Sequence, residues 1–254
     1  MCCVSRCLMF SQRIATAYAY LLPKPIIRSV STLTMKETTK VFSTRDIEAI
    51  ERAVNFLSLG KVIALPTDTV YGLGCSANNP KAIQQLYAIK ERNELKPVAI
   101  CVASVADLRH WGEADHLSDA LLNELLPGAV TIVVRKSPHL NNQELNPGES
   151  RIGIRITKSE FIQKVCAAFG SPIALTSANK SATKSTLNVL EFEDLWPQLG
   201  AVFDGGLLGQ SEEQRAASTV IDLSEPDCYS IIRAGVAVER TSSIVEKYNI
   251  HLKL

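Results

Sequence analysis

The 254-residue chain has no CxxC pair, no histidine cluster and no apolar run near the roughly 20 residues that a membrane span needs. Seven cysteines are present, but Cys75, Cys101, Cys166 and Cys228 stand far apart, which excludes zinc-finger and thioredoxin-type spacing. A reducing compartment and no structural metal are expected. Charge of neither sign is in excess: 27 Lys and Arg against 26 Asp and Glu leave a formal net charge of +1. No global field therefore marks nucleic acid or an acidic membrane as the partner, and any anion site must be local. Internal repeats and low-complexity segments are also missing. What is present is a 46% hydrophobic chain, long enough to bury the core of one large α/β domain.

Residues 1–36 carry Arg6, Arg13, Lys24, Arg28 and Lys36 with several serines and threonines, while the first acidic residue is Glu37. This is the composition of a mitochondrial transit peptide, an ordinary disordered leader being the plain alternative. Arg13 splits the apolar stretch that would form a secretory signal. Met35 offers an internal start that would yield a cytosolic form with the fold untouched. The expected division is a leader at 1–36, a catalytic domain at 40–240 and a C-terminal tail at 241–254.

Ser43 or Thr44 can cap a helix carrying Ile47, Ile50, Val54 and Leu57, with Gly60 as its stop. Strands are expected at 62–65 and 70–77, followed by a helix with Asn79 as cap and Pro80 in its first position. A strand at 98–102, a helix at 117–126 ended by Pro127, and strands at 131–135 and 152–156 follow. Thr157 and Glu160 have capping-box spacing before a helix closed by Gly170. Further strands are expected at 173–176, 201–203, 219–221 and 231–233. Strands and helices alternating without a strict βαβ rhythm predict a twisted, partly mixed sheet with helices packed on it.

Four segments concentrate polar chemistry where apolar strands or helices end. Pro66-Thr67-Asp68-Thr69-Val70-Tyr71-Gly72-Leu73-Gly74 leaves a buried strand, a usual place for ligands, although a polar turn is the plain reading. Lys90, Arg92 and Lys96 gather at a helix end, where cations either cap the helix or bind phosphate. Arg151 and Arg155 are four apart on an extended segment and share a face, suited to a carboxylate, a phosphate or core-edge acids. Thr176-Ser177-Ala178-Asn179 closes another strand with small hydrogen-bonding side chains, as a turn or cap also would.

Together these segments resemble the YrdC/Sua5 family of threonylcarbamoyl-AMP synthases over residues 45–238. The resemblance rests on the stretch 66–74, the pair Lys90 and Arg92, the pair Ser177 and Asn179, the run Ser218–Asp222, and Ile232-Arg233-Ala234-Gly235, all in the family's order. It implies a single YrdC-like α/β domain, with a twisted mixed sheet, flanking helices and a concave basic cleft. Carried over by position, Thr69 is implied to contact threonine and Arg155 its carboxylate, with Leu175, through its backbone, and Ser218 as further threonine contacts. Arg92, Lys96, Arg151, Ser177, Ser185 and Arg233 match ATP-contacting positions, and Lys90, Arg92, Ser177 and Asn179 form the implied catalytic set. Two departures are visible: Cys101 replaces a histidine common in microbial members, and Lys96 replaces the asparagine of the same stretch. The chain ends at Leu254, so the extra C-terminal domain of longer Sua5-type members is not expected.

The reaction implied by the resemblance joins L-threonine, bicarbonate or CO2, and ATP into threonylcarbamoyl-adenylate and pyrophosphate, with Mg2+ accompanying ATP. A separate transferase complex is then implied to take the product for modification of tRNA adenosine beside the anticodon, and a weak tRNA contact is compatible with it. His110, His116 and His139 lie away from the motifs and receive no role. Alternative readings are a carbamoyl-adenylate-forming enzyme, whose zinc-finger cysteines this sequence lacks, and a non-catalytic double-stranded RNA module. The leader makes its own prediction. Residues 1–36 fused to a fluorescent protein should direct it to mitochondria, and the form starting at Met35 should stay in the cytosol. A diffuse signal from the fusion overturns the assignment.

Overall fold

The computed structural model describes residues 40–91, 97–180 and 183–253. The leader and Met35 lie outside the described residues, as do Arg92 and Lys96. The first strand, β1 (Lys40–Ser43), precedes helix α1 (Ala49–Ser58) and the hairpin β2 (Ile63–Pro66) and β3 (Tyr71–Ser76). Next come α2 (Pro80–Lys90), β4 (Ala99–Cys101), α3 (Val105–Trp111), β5 (Gly112–Glu113) and α4 (Asp119–Leu125). Then β6 (Val130–Lys136), β7 (Arg151–Arg155), α5 (Glu160–Phe169) and β8 (Ile173–Ser177) build the centre. A kinked 3-10 segment (Val189–Gln198), β9 (Ala201–Asp204), β10 (Thr219–Asp222), β11 (Cys228–Arg233), α6 (Val238–Lys247) and β12 (His251–Leu252) complete the described fold.

Among the described residues the strands lie in the order β1-β9-β2-β3-β8-β4-β7-β6-β10-β11-β12, with β5 paired to β6 beside this path. The sheet is mixed: β4 runs parallel to β7 and β6 parallel to β10, while β3, β8 and β4 are antiparallel neighbours. Side chains alternate between its two faces, and that alternation separates two cores. Val62, Ala64, Ala174 and Val202 join the helices α2, α4 and α6 on one face. Ile63, Leu65, Ile173 and Phe203 meet α1 and α5 on the other.

Local signals decide several elements. Asn79 caps α2, its side chain accepting the Ala82 N–H at 3.2 Å, with Pro80 behind it. Gly170 closes α5 in the left-handed region at φ 65°. Others yield to tertiary contacts. Ser43 and Thr44 do not cap α1, because residues 40–43 pair with β9 and Thr44 N–H continues that ladder to the Asp204 carbonyl. The helix therefore starts at Ala49 and leaves Ile47 98% exposed.

Of the stretch 241–254, expected as a tail, the described residues 241–253 instead belong to the fold. Thr241, Ile244 and Val245 are buried at helical spacing on α6, and β12 adds to β11 with Cys228 opposite His251. Lys247 and Tyr248 reach the Glu124 carboxylate on α4 at 2.9 Å each. The motif match ended near residue 238, so the amphipathic period beyond it went unread.

Lys90 also differs from expectation. Its side chain is buried at the end of α2, 2% exposed, and the ammonium donates to the Ser177 carbonyl at 2.6 Å and to the backbone oxygen and Oδ1 of Asn179. It ties the end of α2 to the end of β8. Lys90→Ala strands those acceptors, each worth about 1–3 kcal/mol when buried, so the melting temperature should fall clearly in thermal unfolding. An unchanged melting temperature contradicts the tie. Ile244→Ala should cost about 2–5 kcal/mol in denaturant unfolding, and a loss below about 0.5 kcal/mol would show that α6 is not part of the core.

Candidate functional site

Helices α1 and α5 cover only part of their face of the sheet. Beyond β8 the same face carries Leu175, Ser177, Ala99, Gly153, Thr131, Val133 and Val220, which line a cavity of about 420 Å³ with Arg151, Arg155, Ser218 and Arg233 at its walls. Small residues make the hollow. A side-chain carbon on Gly153 would come within 2.9 Å of Thr131 Cγ2 and 3.3 Å of the Ala99 side chain, filling the floor between the two arginines.

The turn 67–70 closes one wall. Thr67 Oγ1 accepts the N–H groups of Thr69 at 3.1 Å and Val70 at 3.2 Å, and donates to the Val70 carbonyl at 2.7 Å. That internal bonding presents Asp68 and Thr69 to β7. Arg155, with only 8% of its side chain exposed, donates from Nη2 to Asp68 Oδ1 and to Thr69 Oγ1 at 3.0 Å. Its Nε–H is buried and has no hydrogen-bond partner.

Arg151, near the other end of β7, is held by Asp222 at 2.6 Å and Glu149 at 3.2 Å. The hydrogen bond from Arg151 keeps the Glu149 carboxyl below the usual carboxylate range, and Glu149 in turn raises Arg151. On the far wall Thr131 and Ser218 share a hydroxyl hydrogen bond of 3.0 Å, and Arg233 donates to the Ser218 carbonyl at 2.7 Å. Ser177 lines the cavity and is bonded through its hydroxyl to Asn179 Oδ1 at 2.5 Å, so Lys90 organises this pair from behind.

The structure thus gathers Thr69, Arg151, Arg155, Leu175, Ser177, Ser218 and Arg233 at or directly behind one cavity. Leu175 lines it with its side chain, while its backbone is held between Gly74 and Ala99 on adjacent strands. Lys90 and Asn179 stand behind Ser177. Ser185 does not line this cavity; its carbonyl accepts from Arg215 at 2.8 Å. Arg92 and Lys96 fall outside the described residues. Sequence reading missed Asp68 as a structural partner of Arg155, Thr131 as a cavity hydroxyl, and Gly153 as the floor. The signals were a carboxylate inside a hydroxyl-rich turn, a lone threonine on an apolar strand, and a glycine between two arginines.

Cys101 is wholly buried and is not among the cavity-lining residues. Its thiol lies in one core cluster with that of Cys166; interaction between the two lowers Cys101 and, with burial, holds Cys166 well above the ordinary thiol range. His110 and His139 stack with ring centroids 4.3 Å apart, and His116 meets the Leu223 carbonyl at 2.7 Å, all away from the cavity. Among the described residues no group of three or more His, Cys, Asp or Glu side chains could hold a metal ion, and no helix is long and apolar enough to cross a membrane.

Several curated proteins similar to this chain carry one name. The chain is 47% identical over 205 residues to the threonylcarbamoyl-AMP synthase of Bos taurus, covering 80% of this chain and 74% of the relative. It is 47% identical to that of Homo sapiens over 206 residues, with 80% and 73% covered. The crystal structure of P. abyssi Sua5 complexed with L-threonine superposes with a TM-score of 0.73 at 27% identity, covering 85% of this chain. This chain spans 62% of that Sua5 chain's length. A family model for Sua5, YciO and YrdC proteins, described as telomere recombination, matches residues 55–235. With the cavity on the half-covered sheet face and these similarities in hand, the chain belongs to the Sua5/YciO/YrdC family.

Proposed function

We propose that this chain is a threonylcarbamoyl-AMP synthase, a nucleotidyltransferase that joins L-threonine, bicarbonate or CO2, and ATP into threonylcarbamoyl-adenylate with release of pyrophosphate. The observation that carries the reading is Arg155: a nearly buried guanidinium at the cavity wall, fixed from one side by Asp68 and suited to one small carboxylate. The similarity to a Sua5 protein crystallised with L-threonine supports it.

In this reading Arg155 takes the threonine carboxylate, with Thr69, Leu175 and Ser218 around the amino acid. Arg151 and Arg233 take ATP phosphate oxygens, joined by Arg92 and Lys96, and Ser177 and Ser185 offer hydroxyls to the nucleotide. Lys90 and Asn179 serve by holding Ser177. The threonine amine adds to CO2 with loss of a proton, and a carbamate oxygen then attacks the α-phosphorus as pyrophosphate leaves. The carbamate is itself the nucleophile, so fixed geometry and charge neutralisation supply the acceleration. Mg2+ enters as the salt of ATP, held chiefly by its phosphates.

Hand-over to a tRNA-modifying transferase and a dual mitochondrial and cytosolic location complete the proposal. An RNA-backbone module fits less well, because Arg151 and Arg155 are already paired with Glu149, Asp222 and Asp68 and do not form an open basic stripe.

Incubation with ATP, L-threonine and bicarbonate should release pyrophosphate only when threonine is present, and threonine-independent release overturns the assignment. Arg155→Lys keeps the charge but loses the planar fork, so the threonine KM should rise by about tenfold or more, equivalent to about 1.4 kcal/mol, with the ATP KM little altered. An unchanged threonine KM would move the carboxylate to Arg151.

A further inference from the structure

The turn between β2 and β3 carries a carboxylate to which the chemistry above gives no task. Asp68 has a side chain only 12% exposed, and both of its oxygens are engaged. Oδ1 accepts from Arg155 Nη2 and from the Thr157 hydroxyl at 2.7 Å, and Oδ2 accepts the Lys158 N–H at 2.9 Å. The Asp68 N–H donates back to Thr157 Oγ1 at 3.3 Å.

Two features separate this arrangement from an ordinary ion pair. Thr157 holds the capping-box position before α5, yet its hydroxyl donates to Asp68, and Ser159, the residue at the helix start, makes no side-chain cap. The same hydroxyl also accepts the Ser159 N–H at 3.2 Å, so one side chain joins the start of α5 to the carboxylate. On the other side, Asp68 and Thr69 both take Nη2 of Arg155, so one corner of the guanidinium is tied down while the buried Nε–H is left without a partner. An anion that merely plugged the site until substrate arrived would have to leave, but Asp68 is anchored by Thr157 and Lys158 from the β7–α5 junction.

We propose that Asp68 is the positioning residue of the amino-acid site. It locks the Arg155 fork by Nη2 so that the part of the guanidinium lining the cavity stays aimed at a substrate carboxylate. The inference rests on Arg155 as the threonine carboxylate ligand. Without Asp68 the same charge remains in the wall, but the long side chain samples orientations that do not meet the ligand, and ordering it again weakens binding. Threonine affinity therefore depends on Asp68 only while Arg155 is present, and ATP affinity does not.

The test is a double-mutant cycle on the full chain, read by calorimetric titration of L-threonine and by separate KM values for threonine and ATP. Arg155→Ala comes first: wild-type protein should bind threonine and this variant should bind it at least about tenfold more weakly. Equal binding there sinks the reading of Arg155 itself, independently of Asp68. Asp68→Ala should weaken threonine about tenfold with the ATP KM within about twofold, and Asp68→Ala with Arg155→Ala should be no weaker than Arg155→Ala by more than about twofold. Should the alanine variant fail to fold, Asp68→Asn keeps the shape and one acceptor oxygen and carries the same comparison, with a threonine loss of at least about threefold expected. Unchanged or tighter threonine binding, an equal loss for ATP, or fully additive losses in the double variant would each overturn the proposal.

Discussion

Arg155 puts a permanent charge into a strand of a sheet where 8% of its side chain meets solvent, and the surroundings of the cavity follow from satisfying that charge. The turn before β3 lies far in sequence from the junction of β7 and α5. They meet because Asp68 and Thr69 accept from the Arg155 guanidinium while Thr157 holds Asp68. Removing the charge would leave Asp68 buried with a partner missing, so the network holds the site together as well as furnishing a ligand group.

A second constraint is geometric. A sheet this wide needs cover on both faces, yet the core under α1 and α5 reaches from β9, β2 and β3 only as far as β8 and Cys101 at the end of β4. The uncovered part has small residues at its floor, as Ala99 and Gly153, and charged, paired ones at its wall, as Arg151, beside Val133 and Val220. Larger apolar residues there would demand a helix above them. The small residues therefore let a face of the core serve as a binding surface, with the strands beneath it rigid and ladder-bonded on both sides.

How much of this could be read in advance depends on the range of the forces involved. Asn79 with Pro80 and Gly170 acted within one turn of chain, and their helix ends were legible. Most of the expected strands lie within a residue or two of the observed ones, because buried strands leave apolar runs or alternation in the sequence, but β11 starts three residues earlier than expected and β1, β5 and β12 went unread. Thr157 with Glu160 read correctly as the approach to a helix but wrongly as its cap, since α5 starts at Glu160 with Ser159 at its cap position; Thr157 lies two residues earlier, accepts the Ser159 N–H and donates to Asp68, 89 residues away. Lys90 looked like a surface cation at a helix end, and only the packing of α2 against the end of β8 reveals it as a buried tie to Asn179. Pairing across such distances leaves no local trace, and that is why the cavity residues could be named by motif while their partners could not.

The acids around the cavity bear on what it accepts. Arg151 is neutralised by Glu149 and Asp222, and hydrogen bonding holds the Glu149 carboxyl below its usual range. Its folded-state value is depressed, so this pairing contributes fully above the unfolded carboxylate range and is lost as pH falls through the depressed value. A phosphate approaching Arg151 at neutral pH thus meets a guanidinium already occupied, and it gains affinity only by offering more charge or better geometry than two fixed carboxylates. Arg155 differs: its anionic partner holds one nitrogen, and a buried donor is left over. In the proposed reading a polyanion competes best at the first arginine and a single carboxylate fits best at the second. Two arginines four residues apart on one strand can in this way sort two different ligands without any difference in their own chemistry.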